Sequence, residues 1–151
     1  MSVPGDAAIN ILLVDDSRPV RTVLKTLLCG LGVTRIYEAE TREEAFIMAR
    51  VCRPDLAIID YDLGRETGVD LVRAFRDGAH SPMPDIPLIL LSPTGQEHLT
   101  AGAREAGVDA ILPKPVTARM LGDKIAELTE GAAQAPVSEV CLLYTSPSPR
   151  D

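Results

Sequence analysis

The sequence predicts an α/β fold in which a five-stranded parallel sheet is covered by helices on both faces. Two observations favour this fold. Short apolar runs alternate with longer amphipathic segments five times along the chain, and most of these runs are continuous, as in parallel strands buried on both faces. Right-handed crossovers between successive strands then place helices on both sides of the sheet, which gives a three-layer sandwich.

Five apolar runs are predicted as strands, in chain order. INILLV is continuous and is followed by two acids, whereas RIYEA is shorter and more polar. LAIID, LILLS and DAIL are again apolar and end at or just before polar residues. The predicted strands are Ile9–Val14, Arg35–Ala39, Leu56–Asp60, Leu88–Ser92 and Asp109–Leu112.

A helix is predicted after each strand. In the first, Ser17 can cap the N-terminus, Pro19 suits the first turn, and two glycines end the helix. Thr41 and Glu44 form a capping-box signature for the second. The apolar face of the first helix is expected at Val20, Val23, Leu24, Leu27, Leu28 and Leu31. The later helices are expected at Arg42–Cys52, Val69–Arg76, Glu97–Glu105 and Thr117–Glu130.

Composition bounds the class of protein. A chain of 151 residues that is 46% hydrophobic and 25% charged is expected to form one domain around a single core. The net charge of -7 and the aromatic content of 3% argue against nucleic-acid binding by this domain. Neither a membrane span nor a signal peptide is evident, so a cytoplasmic protein without a membrane partner is predicted. The cysteines, Cys29, Cys52 and Cys141, lack C-x-x-C spacing and are expected as buried thiols.

The chain is predicted to divide into four segments. Residues 1–8 form an N-terminal tail, 9–131 the folded domain, and 132–140 a linker. The last segment, CLLYTSPSPRD at residues 141–151, lacks periodicity, and its codons can spell a transposase-library adaptor in frame. We interpret it as a sequencing-adaptor scar; the alternative is a natural Ser/Pro-rich tail.

Polar side chains close four of the five predicted strands. They are Asp15 and Asp16 after the first strand, Asp60 after the third, Ser92 after the fourth and Lys114 after the fifth. Because parallel strands end at one edge of the sheet, these side chains are expected to converge. Three carboxylates at one edge would repel one another unless a cation such as Mg²⁺ lay between them. The lysine and the hydroxyl would supply the positive charge and the donor that a phosphoryl group needs.

The order of these residues resembles the receiver domain of bacterial two-component response regulators, including the single-domain chemotaxis type. The segments that carry the resemblance are ILLVDDSRPVR, PDLAIIDYDLGRETG, IPLILLS and AGVDAILPKP, and it covers roughly Asn10–Gly131. The resemblance implies a flavodoxin-like fold with strand order 2-1-3-4-5. It also implies a phosphorelay switch that catalyses only its own phosphorylation and dephosphorylation.

The resemblance further implies a role for each matched residue. Asp60 would accept the phosphoryl group from a phosphohistidine of a sensor histidine kinase or phosphotransfer protein. Asp15, Asp16 and Asp60 would hold Mg²⁺ with the backbone carbonyl of Asp62. Ser92 and Lys114 would contact the phosphoryl group, and the bond from Lys114 to Pro115 would be cis. Phosphorylation would change the surface of the fourth helix, fifth strand and fifth helix, where a downstream protein partner would bind.

Several residues depart from the family pattern or are expected to tune the switch. Pro93 has no N–H to offer the phosphoryl group, and Ile111 replaces the usual aromatic switch residue. Gly64 stands where proline is common, which predicts a looser acceptor loop. The Asp62 side chain is expected to alter the lifetime of the phosphoryl group, and Thr94 is grouped with these tuning positions.

Two other functions remain open from the sequence alone. Pro93 and Ile111 would also suit a receiver-shaped interaction module that is never phosphorylated. The D-x-D pair formed by Asp60 and Asp62 resembles that of haloacid-dehalogenase-type phosphatases, in which they would act as nucleophile and general acid. The acidic pair precedes this motif here, whereas the metal-binding acids come last in that family, which disfavours the phosphatase.

Overall fold

The computed structural model describes residues 9–93 and 98–129, with the backbone alone for residues 98–100. The predicted tail at 1–8, linker at 132–140 and adaptor-derived segment at 141–151 lie outside the described residues, as does Thr94. Strands and helices alternate through the described chain. They are β1 Asn10–Val14, α1 Arg18–Gly30, β2 Arg35–Ala39, α2 Arg42–Cys52, β3 Leu56–Asp60, α3 Gly68–Arg76, β4 Leu88–Ser92, α4 His98–Ala106, β5 Ala110–Pro113 and α5 Ala118–Thr129.

The five strands form one parallel sheet in the order β2-β1-β3-β4-β5, so the predicted fold and strand order are confirmed. Successive side chains of a strand point to opposite faces, and each face carries its own apolar cluster. In β1, Leu12 packs on the α2, α3 and α4 side, whereas Ile11 and Leu13 pack on the α1 and α5 side. The sheet is therefore buried on both faces, which explains why its central strands read as continuous apolar runs.

The buried face of α1 differs from the predicted one. Val23, expected in the apolar face, is 59% exposed, whereas Leu24 and Leu28 are buried as expected. The charged Arg21 is buried instead, at 6% exposure, because it reaches the end of β1 and two acids near the end of β2. The prediction was wrong at Val23 because hydrophobic spacing alone does not reveal a buried ion pair.

Caps define the starts of the helices that lead away from the sheet edge. Ser17 accepts a hydrogen bond from the Val20 amide, as predicted. Thr41 accepts one from the Glu44 amide, but the Glu44 carboxylate bonds the Glu40 amide rather than that of Thr41. The predicted capping box of α2 is therefore only half formed.

The structure also bears on two other sequence predictions, which concern the cysteines and membrane-spanning helices. Cys52 is buried but disulfide-bonded, and Cys29 is a free thiol exposed on α1, so the expectation of buried thiols was wrong for both residues. Within the described ranges, no helix has the length and apolarity needed to cross a bilayer.

Candidate functional site

The register of the sheet brings the predicted polar residues to one edge. Val14, just before Asp15, pairs with Ile59, just before Asp60, and Asp60 itself pairs with Leu91. Ser92 pairs with Pro113, and the Lys114 amide donates to the Ser92 carbonyl oxygen at 2.9 Å. The strand ends therefore lie side by side, and the side chains that follow them share one site.

Asp60 lies at the centre of this site. Its residue is 4% exposed, and its carboxylate faces a cation and an amide. Lys114 Nζ lies 2.5 Å from Oδ1, and the Asp62 amide donates to Oδ2 at 2.9 Å. Oδ1 has this ion pair but no hydrogen bond of ordinary geometry among the described residues. Asp60 is thus a buried nucleophile candidate, with one oxygen fixed by the loop and the other facing the ammonium group.

Asp15 is the second buried carboxylate of the site, at 2% exposure. Oδ1 accepts a hydrogen bond from the Ser17 amide at 2.8 Å, whereas Oδ2 has no such partner within the described part of the chain. Burial, with a smaller contribution from the negative charge of Asp60, raises the pKa of Asp15 to about 6, against the Ser17 amide and Lys114, which lower it. The site therefore places negative charge where the protein alone does not fully compensate it.

The third acid, Asp16, is exposed and lies against the acceptor loop. A Cβ built on Gly64 would come within 2.9 Å of Asp16 Oδ2. In the described ranges no three acidic, histidine or cysteine side chains are already grouped as a metal-binding set. The donor chemistry nevertheless fits Mg²⁺, because hard carboxylate oxygens with unsatisfied lone pairs suit an ion that keeps several of its waters. Asp15 and Asp60 are the residues that would hold it most directly.

The remaining predicted site residues lie at the ends of β4 and β5. Ser92 is buried at 7% exposure, and its hydroxyl makes a marginal contact of 3.5 Å with the carbonyl oxygen of Pro93. Ile111 is partly buried against the apolar cluster on the α4 side of the sheet. The peptide bond from Lys114 to Pro115 is cis. Among the residues that the structure describes, the Ser92 hydroxyl therefore makes no stronger hydrogen bond than this contact.

The loop that follows Asp60, residues 61–67, is closed by its own hydrogen bonds. Asp62 Oδ1 accepts from the Gly64 amide at 3.0 Å, the Leu63 amide donates to the Glu66 carbonyl oxygen at 3.1 Å, and Asp62 pairs with Thr67. Gly64 has a φ of +83°, a conformation that glycine adopts at little cost. Gly64 therefore supplies the positive φ that this hydrogen-bonded turn needs, and its effect on the looseness of the loop stays a prediction.

Gly68 closes the loop and begins α3. A Cβ at this position would lie 2.4 Å from the Asp60 carbonyl oxygen and 2.6 Å from Leu90 Cδ1. Only glycine lets the start of α3 approach the end of β3 so closely. Thr67 and Asp70 then form a capping box that fixes the start of the helix.

Arg21 belongs to the site although the sequence did not indicate it. Its guanidinium donates to the Asp15 carbonyl oxygen at 2.6 Å and pairs with Glu38 at 2.8 Å and Glu40 at 2.9 Å. Lys25 also pairs with Glu38, at 2.8 Å. Arg21 therefore joins α1 to the ends of β1 and β2 behind the acidic residues. The available signal was weak: a single arginine within an apolar helical face.

Comparison with known proteins identifies the class. The model of the response regulator receiver domain matches residues 11–126. The chain is also 32% identical over 120 residues to the chemotaxis protein CheY of Pseudomonas aeruginosa, which covers 80% of this chain and 95% of that protein. The chain belongs to the response regulator receiver domain family of two-component systems, and the class predicted from the sequence is confirmed.

Other relatives place the same domain in different proteins. The KDP operon transcriptional regulatory protein KdpE of Escherichia coli is 35% identical over 106 residues, covering 70% of this chain but 44% of KdpE. The receiver domain of a signal transduction histidine kinase from Syntrophus aciditrophicus superposes with a TM-score of 0.72 at 26% identity, covering 87% of this chain and 97% of that one. These relatives therefore share the receiver domain, whereas the proteins that contain it differ in kind.

Proposed function

We propose that this protein is a phosphoacceptor switch in which Asp60 takes a phosphoryl group from a phosphohistidine. The donor would be a sensor histidine kinase or a phosphotransfer protein. The observation that carries the proposal is the Asp60 carboxylate, which is buried at the sheet edge and paired with Lys114 at 2.5 Å. A buried carboxylate with a lysine ammonium group beside it can become an acyl phosphate and remain paired with that group.

The transfer can be written in terms of the residues present. An Asp60 oxygen forms the new O–P bond while the N–P bond of the donor breaks, and its electron pair returns to the imidazole nitrogen. Oδ1 is the favoured nucleophile because Oδ2 is already bound by the Asp62 amide. Lys114 would then move from the carboxylate to a phosphoryl oxygen, and the Ser92 hydroxyl would donate to another.

The acidic residues beside Asp60 would prepare the site for this charge. Asp15, Asp16 and Asp60 itself, with the Asp62 backbone carbonyl, are the residues that would hold Mg²⁺. Bound there, the cation would offset negative charge as the phosphoryl group arrives. Arg21 would keep Asp15 in place through its hydrogen bond to the Asp15 carbonyl oxygen.

The response to phosphorylation would pass through Ser92 to the face formed by α4, β5 and α5, where a downstream protein partner would bind. Within the described ranges the Ser92 hydroxyl makes only a marginal contact, so it would be available to donate to a phosphoryl oxygen. Pro93 offers no amide to the phosphoryl group, and Ile111 cannot make the movement of an aromatic ring, so the surface change is expected to be smaller than with an aromatic residue at 111. Asp62, whose side chain is held by the Gly64 amide, would tune hydrolysis from the loop.

Incubation with acetyl phosphate and Mg²⁺, followed by intact-mass measurement, tests the proposal. The wild type should gain one phosphoryl group, and Asp60→Asn should gain none. Asp85→Asn is the matched control, because it removes one exposed carboxylate from the loop before β4. A wild type that gains nothing under these conditions would support the alternative of a non-phosphorylated interaction module, for which Pro93 and Ile111 are the specific observations.

A further inference from the structure

A bidentate ion pair connects the acceptor loop to α2. Arg42 at the start of α2 binds Glu66 of the loop through two nitrogens: Nη2 contacts Oε1, and Nε lies 3.3 Å from Oε2. This hydrogen bonding to Glu66 raises the pKa of Arg42, so its charge is secure. Glu66 is only 22% exposed, and a partly shielded bidentate pair is stronger than an ordinary surface pair.

Glu66 is also the residue on which the loop closes. Its carbonyl oxygen accepts the Leu63 amide at 3.1 Å, and the next residue, Thr67, pairs with Asp62. Asp62 in turn donates its amide to Asp60 Oδ2. The ion pair therefore acts on a short chain of hydrogen bonds that ends at the proposed phosphoacceptor.

A polar cleft of about 540 Å³ separates the loop from α2 and from the turn after β1. Asp16, Arg42, Gly64 and Glu66 all line it, together with Glu40 and Glu43. The loop contacts Asp16 through Gly64 at one side of this cleft and Arg42 through Glu66 at the other. Leu63 anchors the inner part of the loop, because its side chain is buried in the core, whereas Glu66 connects the outer part of the loop to α2 through the ion pair.

We propose that the Arg42–Glu66 ion pair is a latch that holds the acceptor loop over Asp60 and thereby sets how long Asp60 stays phosphorylated. Arg42 and Glu66 are positioning residues, because neither touches Asp60. The effect on lifetime rests on the proposed function, whereas the effect on the loop does not. Opening of the latch would free the Asp62 and Leu63 amides and admit water to the acyl phosphate.

Amide hydrogen exchange, measured by NMR on the full chain without Mg²⁺ or phosphodonor, tests the latch directly. Arg42→Gln and Glu66→Gln should each accelerate exchange of the Asp62 and Leu63 amides by about fivefold. The charge-reversed double variant R42E/E66R should return exchange to within about twofold of wild type. Raising the ionic strength should accelerate exchange in the wild type but not in R42Q/E66Q.

A second ion pair provides the matched control. Lys124 and Glu127 on α5 lie 3.5 Å apart, and Lys124 is about as exposed as Arg42, whereas Glu127 is more exposed than Glu66; K124E/E127K therefore reverses an ordinary surface pair away from the loop. It should leave exchange of both loop amides unchanged. Unchanged exchange in the Arg42 and Glu66 single variants would overturn the latch, as would a reversed pair that fails to restore slow exchange.

The phosphoryl lifetime provides the functional readout. After labelling with acetyl phosphate, Arg42→Gln and Glu66→Gln should lose the phosphoryl group about threefold faster than wild type, and R42E/E66R should recover. Faster exchange with an unaltered lifetime would overturn the functional part of the proposal. A wild type that never accepts phosphate would instead refute the proposed function, while the exchange result would still decide whether the latch exists.

Discussion

The carboxylates at the two ends of the sheet differ both in burial and in hydrogen bonding. At the ends of the strands, Asp15 and Asp60 each have a buried carboxylate oxygen without an ordinary hydrogen bond among the described residues. At the beginnings of the strands, the carboxylates are well bonded: Asp55 accepts the Asn10 amide, and Asp109 accepts both the Leu88 amide and Arg76. Asn10 Oδ1 is also unpaired there, but it is neutral.

Arg76 makes the largest contribution to the difference in hydrogen bonding between the two ends of the sheet. Its guanidinium donates to four acceptors in the two segments that precede β4 and β5, which are the carbonyl oxygens of Pro84, Ile86 and Gly107 and the carboxylate of Asp109, at 2.7 to 2.9 Å. Within the described residues, the carboxylates at one end of the sheet thus have hydrogen-bond donors, whereas those at the other keep unsatisfied oxygens ready for a ligand. The comparison indicates that stability is concentrated at the beginnings of the strands and binding capacity at their ends.

Removal of Arg76 should break the well-bonded end and has the largest expected effect. Arg76→Ala should lower the free energy of unfolding by about 3 kcal/mol, because several carbonyl oxygens and one carboxylate lose their donor together. Guanidinium-induced unfolding measures this change. Arg73→Ala is the control, since Arg73 is 57% exposed and only 3.7 Å from Asp70; its loss should cost less than about 0.5 kcal/mol. Equal losses for both variants would contradict a special role for Arg76.

Neutralisation of Asp15 should raise the free energy of unfolding, whereas removal of Arg76 lowers it, because neutralisation removes uncompensated charge at the ends of the strands. The pKa of Asp15 is raised from 3.8 to about 6 by folding. Ionisation of Asp15 therefore destabilises the metal-free protein increasingly as the pH rises from about 4 to about 6, and fully above that range. Asp15→Asn should raise the free energy of unfolding at pH 7.5 by about 1–3 kcal/mol, and by much less at pH 4.5.

The measurement is urea unfolding at the two pH values with EDTA present. Addition of Mg²⁺ should stabilise the wild type by mass action and leave Asp15→Asn unaffected. The difference between their free energies of unfolding should therefore become smaller or change sign. Asp85→Asn, in an exposed loop, should show neither effect. An Asp15→Asn variant that is less stable than wild type at pH 7.5 would show that the carboxylate is compensated by the protein itself.

The sheet and the convergence of Asp60 and Lys114 could be predicted because both follow from strand patterning. Once five apolar runs are assigned to a parallel sheet, the residue after each run has a defined place at one edge. The starts of helices followed from local chemistry in the same way, as at Ser17. Such features depend on residues close together in sequence or on the regular geometry of the sheet.

The features that could not be predicted depend on which side chain reaches which distant partner. Arg21 occupies a helical face that spacing assigned to Val23, and only the position of β2 reveals its two glutamates. The Arg42–Glu66 pair joins the first residue of α2 to the loop after β3, 24 residues further on, with no sequence pattern to connect them. The positive φ of Gly64 was not predicted for a related reason, because it depends on the turn made by Asp62.

Substitution of Gly64 has the smallest expected effect, but it is the most selective test of the contrast between the two ends of the sheet. Gly64→Ala should lower the free energy of unfolding by about 1 kcal/mol, because alanine is strained at a φ of +83°. The added Cβ would also displace Asp16, whose Oδ2 would lie 2.9 Å from it. Gly78→Ala, where nothing lies within 4 Å of the new Cβ, is the control for stability.

A double variant separates the two consequences of the Gly64 substitution. In D16A/G64A the displaced side chain is gone, but the backbone strain remains. The double variant should therefore lose the same stability as Gly64→Ala when each is compared with its own Gly64 parent. In contrast, Mg²⁺ affinity from calorimetric titration should fall when Gly64 is replaced in the wild type and not in Asp16→Ala. An equal loss of affinity in both backgrounds would mean that the loop backbone, rather than Asp16, adjusts the metal site, and the binding capacity of this edge would then lie in Asp15, Asp60 and the Asp62 carbonyl alone.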